Sequence, residues 1–290
     1  MMRFFRPLIL AYLSLIVAGP SFARSPKHRA QVTPQTVSFL AESGARNWRG
    51  GNKIMRYATS EAVVNRIRLY IMLSSQNAGS GNTVFGLGSL TAENMTLFGS
   101  PVWGGGGGLS FNGTNQYAVS TGNLPSMNPS SGLSLFARFA KTTESNSDSF
   151  TSTNPESLAS LTKAGSYDTK DLSFLLRVRG GKLNYLSRNL ADTSYLDSAA
   201  DSHDIDTQDL TTVSVRNASS ASLYLNKTEV SYQNQHTGAT LVEVGPLSLA
   251  VQNVQVPSRF FKGIYKAFAI LDAEVTTTQR ETITDLINAL

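Results

Sequence analysis

From about residue 80 the chain is written in short alternating runs. Leu133, Leu135, Ala137 and Phe139 fall on one side of an extended segment, and Phe174, Leu176 and Val178 on one side of another. Runs of this kind recur near 109–111, 117–120, 133–140, 157–163, 173–179, 182–188, 210–217, 221–226, 240–250 and 260–270, with shorter pieces at Val84-Phe85 and Met95–Phe98. Turn formers separate them. Gly104–Tyr117 carries most information: a glycine run leads into Leu109-Ser110-Phe111, stops at Asn112-Gly113 and resumes at Tyr117-Ala118-Val119. Arg179-Gly-Gly-Lys182 reads as a two-glycine hairpin, and Asn217–Ala221 as a second tight reversal. No repeat of solenoid or propeller period is present, so the cadence predicts an all-β, antiparallel β-sandwich.

Two stretches follow a helical period instead. After Thr59-Ser60-Glu61, the residues Val63, Val64, Ile67, Tyr70 and Ile71 predict an amphipathic helix running to about Leu73. Near the C-terminus a threonine cap precedes Gln279, and Ile283, Leu286, Ile287 and Leu290 form one apolar stripe, predicting a terminal helix. The N-terminus has the three parts of an export signal: Arg3 and Arg6, the apolar run Leu8–Val17, and Ser21-Phe22-Ala23. Four regions are therefore expected: a signal peptide at 1–23, a basic and loosely ordered linker at 24–58, the helix and its connection at 59–79, and the sandwich at 80–290. No later apolar run reaches the roughly 20 residues that cross a bilayer. The expected location is secreted, periplasmic or cell-surface.

Charge and cysteine content sharpen this picture. The net charge of +5 is uneven: residues 24–70 hold nine Lys and Arg against Glu42 and Glu61, whereas residues 71–290 hold 14 against 18 acids. The basic character belongs to the leader, not to the sandwich. Few aromatic residues interleave with the leader's cations, which argues for a solvated linker over a specific nucleic-acid site. The chain has no cysteine, so an exported protein of this size must rely on a packed core.

Four motifs in order resemble the concanavalin A-like superfamily, and within it the laminin-G-like jelly roll. Gly106–Gly113 with Tyr117-Ala-Val119 resembles the family's "GGLxFDG" entry strand and its following "dYv" strand. Gly132–Ala140, GLSLFARFA, resembles "sltvsaWvr", and Ser222-Leu-Tyr-Leu-Asn226 resembles "lYvNG". Phe261-Lys-Gly-Ile264, Phe268-Ala-Ile270, Thr277 and Arg280-Glu281 resemble the closing strand and terminal helix. The likeness covers residues 80–290 and implies a jelly roll closed by a terminal helix, so that with the helix read at 59–73 the fold expected is a jelly roll with a short helix before it and another at its end. It also implies carbohydrate or glycoconjugate binding.

Catalytic chemistry is weakly represented. The paired carboxylates that retaining glycoside hydrolysis needs about 5 Å apart, written Glu-x-Asp-x-x-Glu in the glucanase relatives, do not occur. Phe260–Tyr265 resembles a jelly-roll alginate-lyase strand, with Gln233 and His236 elsewhere, but the spacing is one residue short and the partner arginine strand is missing. His28, His203 and His236 are too scattered for a zinc site or a triad. No catalytic residue is nominated. Asp201, Asp204 and Asp206 form the densest oxygen cluster, a candidate calcium loop whose plainer reading is a solvated turn.

Strand arginines remain. If Leu176 and Val178 face the core, Arg177 and Arg179 share the other face, and Arg138, Arg188 and Arg216 fall on other strands. With Tyr185 and Tyr224, residues Arg138, Arg177, Arg179 and Arg216 form the candidate ligand site: rings stack on sugars and guanidinium forks grip carboxylate or sulfate. The plainer alternative is the polar face of an antiparallel sheet. Trp103 reads either as an exposed sugar-stacking ring or as a core plug. The Asn-x-Ser/Thr triplets at Asn94, Asn112, Asn217 and Asn226 matter only in a eukaryotic secretory route. The expected function is non-catalytic binding of a carbohydrate or glycoconjugate, with an anionic polysaccharide as the candidate ligand, without a cofactor other than a candidate Ca2+. Two alternatives stay open: a structural, adhesive or virion-associated subunit, and a polysaccharide lyase.

Overall fold

The first sheet is apolar on both of its faces, and this arranges everything else. In the computed structural model the described residues are 49–290, except 64–65, 78, 89–93, 106, 125–131, 143–155, 163–171, 180–181, 189–192, 198–204, 206–208, 217–219 and 231–244. In chain order they form α1 (Arg49–Ser60), β1 (Ile67–Ile71), β2 (Thr83–Val84), β3 (Gly86–Gly88), β4 (Met95–Phe98), β5 (Val102–Gly105), β6 (Gly108–Asn112) and β7 (Tyr117–Leu124). There follow β8 (Leu133–Lys141), β9 (Glu156–Thr162), β10 (Leu172–Arg179), β11 (Lys182–Arg188), β12 (Thr193–Asp197), β13 (Asp209–Arg216) and β14 (Ala221–Leu225). The chain ends with β15 (Thr228–Glu229), β16 (Gly245–Leu249), β17 (Lys262–Leu271) and α2 (Thr277–Asn288).

The strands make two antiparallel sheets. The first has the order β15-β14-β13-β8-β17-β1-β3, with β6 and then β5 added beside the first half of β17. The second runs β12-β11-β10-β9-β16-β7-β4-β2. Between them lies one core that includes Leu133, Leu135, Ala137 and Phe139 from β8, Phe174, Leu176 and Val178 from β10, and Tyr265 and Phe268 from β17. Tyr265 crosses this core: its hydroxyl donates to the Leu158 carbonyl of β9 at 2.6 Å. Burial pushes the Tyr265 phenol well above its usual pKa, so it stays a neutral donor. Asn112 marks the point where the chain leaves the first sheet for the second. Its side-chain oxygen accepts from the Thr114 and Asn115 amides at 2.9 and 3.2 Å, and Gly113 takes φ +75°, which favours glycine.

A second apolar cluster lies on the outside of the first sheet. Ile67, Leu69 and Ile71 of β1, Phe136, Val213, Val215, Ala267, Ala269 and Leu271 meet Ile54 and Ala58 of α1 and Ile283 and Ile287 of α2. The two helices thus form a third layer. Thr276 caps α2 in a reciprocal box with Gln279, as the sequence predicts. At the other end of α2, Arg138 Nη1 donates to the carbonyls of Ile287 and Asn288 at 3.0 and 3.1 Å, satisfying acceptors that a helix C-terminus leaves open. The rest of the Arg138 fork grips Asp209 at 3.2 and 2.9 Å, and Lys266 joins at 2.6 Å.

The double-sided burial corrects the expected helix over 59–73. All five residues of Ile67–Ile71 are buried, so the run cannot alternate, and Ile67, Tyr70 and Ile71, β-branched or aromatic, favour an interior strand instead. The early helix lies at Arg49–Ser60, mostly within the expected linker of 24–58, where Gly50 and Gly51 conceal it by their low helix propensity. Gly51, Ile54 and Ala58 form its buried stripe. The sandwich likewise begins at β1, not at residue 80. The expected signal peptide and the linker up to residue 48 lie outside the described residues.

Ile287 is fully buried between α2 and the first sheet. Ile287→Ala is expected to lower unfolding free energy by about 2–5 kcal/mol in urea titration. Burial would raise the pKa of Asp209, but the hydrogen bonds from Arg138 and Lys266 outweigh it and hold the carboxyl below its ordinary value of 3.8. The stabilisation is present above that value and is lost as pH falls through the lower folded-state pKa. Amide protection in the last turn of α2 is therefore expected to drop on acidification below pH 3.8, with Asp209→Asn removing that pH step.

Candidate functional site

Helices occupy the outside of the first sheet, which leaves the outside of the second sheet to build a site. Register identifies the side chains there. Arg177 pairs with Asn184 of β11 and Ser157 of β9, Ser160 with Ser248 of β16, Ser248 with Val119 of β7, and Phe98 of β4 with Tyr117. Their chain neighbours Leu176, Val178, Leu249, Ala118 and Leu97 are in the core, so these residues face outwards. Across the sheet the surface passes from a cation, through serines, to aromatic rings.

The loop 250–261 runs over the middle of this surface and is firmly built. Ala250 N donates to Leu158 O at 3.0 Å, Ser157 N to Arg259 O at 2.9 Å, Phe261 N to Ala250 O at 3.1 Å and Gln252 N to Ser258 O at 3.0 Å. The Ser160 hydroxyl, 2.7 Å from Ser248 Oγ, donates to the Gln252 carbonyl at 2.7 Å. At the tip, Asn253 Oδ1 accepts from the amides of Gln255 and Val256 at 2.8 and 3.4 Å. Two non-glycine residues hold left-handed backbone at the base, Ala250 at φ 64° and Arg259 at φ 56°. Such conformations cost on the order of 1–3 kcal/mol each and gather at functional sites.

The loop sets its own end residues on opposite tasks. Phe261 is fully buried and packs edge-on against Phe139, whereas Phe260 points outwards and lies 6.0 Å from the Tyr117 ring. Tyr117 in turn stacks on Phe98, centroids 4.8 Å apart and planes 9° from parallel, and Phe98 remains 42% exposed. This makes an aromatic row of Phe98, Tyr117 and Phe260. On the other side of the loop are cations. Arg259 is exposed and donates to Gln252 Oε1, and Arg177 is buried with its Nε donating to Asn184 Oδ1. Nearby, the buried Lys141 ammonium pairs with Glu156 at 3.0 Å, and the same carboxylate accepts from the Lys262 amide at 3.0 Å. The patch thus brings Arg177, Arg259, Lys141 and Lys262 together with Glu156. The surface can therefore offer an anion a cationic edge and an apolar ring to one side of it.

The structure divides the six nominated ligand residues. Arg177 and Arg179 lie on β10 at this site; the side chain of Arg179 is outside the described residues. Tyr185 is corrected: it pairs with Leu176 and is buried in the core, on the face opposite Arg177. Arg138 and Tyr224 belong to the outside of the first sheet and serve α2, Tyr224 with the Arg280 guanidinium 3.7 Å above its ring. Arg216 ends β13, paired with Ala221 and Leu133, and its side chain is outside the described residues. Asp201, Asp204 and Asp206 are also outside them. Trp103 packs on the core and donates its indole N–H to the Gly81 carbonyl at 3.1 Å, which is the plug reading. Tyr265, from the lyase-like strand, is the buried cross-core donor described above.

Neither protein-family models nor curated proteins give a match. Among solved structures, the chain is similar to the botulinum neurotoxin serotype G binding domain at 9% identity and TM-score 0.51, covering 75% of this chain and 50% of that one. It is similar as well to the receptor-binding domain of the botulinum neurotoxin mosaic serotype C/D, described with a sulfate ion at its putative active site, at 12% identity and TM-score 0.51, covering 77% of this chain and 51% of that one. The chain thus spans about half the length of these domains, and the likeness is one of fold: an antiparallel β-sandwich.

Asn253→Ala removes an acceptor shared by two backbone amides at a fully buried position. The amides of Gln255 and Val256 should then exchange at least tenfold faster with solvent, while those of β8 and β17 keep their protection.

Proposed function

We propose that this protein binds a carbohydrate or glycoconjugate, anionic in character, on the outside of the second sheet around the loop 250–261. The observation that carries the reading is the juxtaposition there of the Phe98–Tyr117–Phe260 row with Arg259 and Arg177. Rings of this kind stack on the apolar faces of sugars, and guanidinium groups are suited to carboxylate and sulfate. The loop's internal hydrogen bonds hold these groups in place before any ligand arrives, which lowers the cost of binding. The sandwich is the fold that the sequence motifs resemble in laminin-G-like jelly rolls, and the solved neighbours carry the words binding domain in their descriptions. The reading includes export to a periplasm, cell surface or medium, and it offers Asp201, Asp204 and Asp206 as a calcium loop.

A glycan array probed with the purified protein, with and without EDTA, tests both parts. Binding is expected to concentrate on carboxylated or sulfated glycans. It should weaken at least tenfold in Arg259→Ala and in Arg177→Ala combined with Arg179→Ala, with unchanged melting temperature in Arg259→Ala as the control for folding. Uniform binding to neutral and acidic glycans, or full binding by both variants, would reject the site. Binding indifferent to EDTA would reject the calcium loop and leave the sugar reading standing.

A further inference from the structure

Resting on that reading, we infer that the site takes an extended oligosaccharide, with an uncharged pyranose stacked on Phe98 and an acidic unit further along the chain at Arg259 and Arg177. The two ends are separated by the sheet itself. From β4, which carries Phe98, to β10, which carries Arg177, the order is β4-β7-β16-β9-β10. Four inter-strand steps amount to about 19 Å, a span that one sugar ring does not bridge. Arg259, tied to Ser157 of β9, lies between these limits.

The aromatic end is built to be used. Phe98 is one of three large apolar residues more than 40% exposed among the described residues, with Val102 at 59% and Val256 at 47%. Its ring is held by a nearly parallel stack on Tyr117, so presenting it to a ligand costs little side-chain entropy. Val256 sits at the tip of the same loop that carries Phe260 and Arg259. An anionic bilayer also combines apolar and negative groups, but the neighbours of Phe98 do not suit immersion in one. Gln116, next to Tyr117, donates to the carbonyls of Gly99 and Ser100 at 3.0 and 2.8 Å, and Asn112 and Asn115 bond to each other at 2.9 Å on the surface. A rim of exposed amides and carbonyls is matched by sugar hydroxyls, whereas hydrocarbon leaves such groups unpaired.

The test uses size-defined hyaluronan fragments, which alternate carboxylated and uncharged pyranoses, as di-, tetra- and hexasaccharides in titration calorimetry. Phosphatidylserine-containing vesicles form a parallel arm. Affinity is expected to rise roughly tenfold from disaccharide to hexasaccharide. Phe98→Ala should abolish that rise, Phe98→Tyr should restore it, and Arg259→Ala should weaken every length alike. Equal affinity at all lengths, or a rise that survives Phe98→Ala, would overturn this inference while leaving the proposed function in place. Absence of binding at every length would overturn both. Vesicle binding lost in Phe98→Ala, with no fragment bound, would also overturn both and assign the patch to a membrane.

Discussion

The constraint on which the structure depends is the burial of the first sheet from both sides. A sheet with one wet face satisfies itself by alternation; β1, β8 and β17 instead carry apolar residues towards both the inter-sheet core and the helices. The outer cluster of Ile67, Leu69, Phe136, Ala269 and their neighbours would be a large exposed apolar patch without α1 and α2. Covering it contributes about 1.5–3 kcal/mol for each large aliphatic side chain that leaves water. It also removes this face from any role in recognition.

That exclusion shapes the second sheet. Its outward residues include Ser160, Ser248, Arg177 and Asn184, polar groups that cannot be buried without partners; Arg177 bonds to Asn184, Ser248 to Ser160, and the loop 250–261 supplies the Val251 and Gln252 carbonyls to Ser160. The loop that accepts the Ser160 hydroxyl also sets Arg259 and Phe260 beside the aromatic row. Local strain at Ala250 and Arg259 is tolerable because hydrogen bonds from Ala250 N and to Arg259 O anchor the loop to β9. Satisfying the sheet and preorganising the surface are thus one physical event.

Much of the sandwich was legible because alternation is a local signal. β8, β10 and β11 fall within a residue or two of the runs read from the sequence, and the Thr276–Gln279 box announces α2 by residue type alone. The early helix was misread because double-sided burial erases the alternation of Ile67–Ile71, leaving a run whose apolar spacing also fits a helix. Tyr185 was assigned to the arginine face because its cross-strand partner is set by the register of the β10–β11 hairpin, Leu176 opposite Tyr185, which no composition reveals. The site itself was half visible. Arg177 and Arg179 stand on one strand and declare a shared face, but Phe98 and Tyr117 meet only through the pairing of β4 with β7, and Phe260 joins them only through the fold of the loop.

Arginine shows why residue type alone does not name a site in this chain. Arg138 and Arg177 both occupy outward positions on interior strands, and in sequence both read as candidates for gripping an anion. Arg138 meets a helix C-terminus and a carboxylate, so its donors are spent on carbonyl oxygens and Asp209, and its charge serves the fold. Arg177 meets an amide oxygen and lies beside the exposed Arg259 on a sheet face with no helix of the described residues docked on it. The task an arginine performs in this chain is therefore set by which face of which sheet the helices cover.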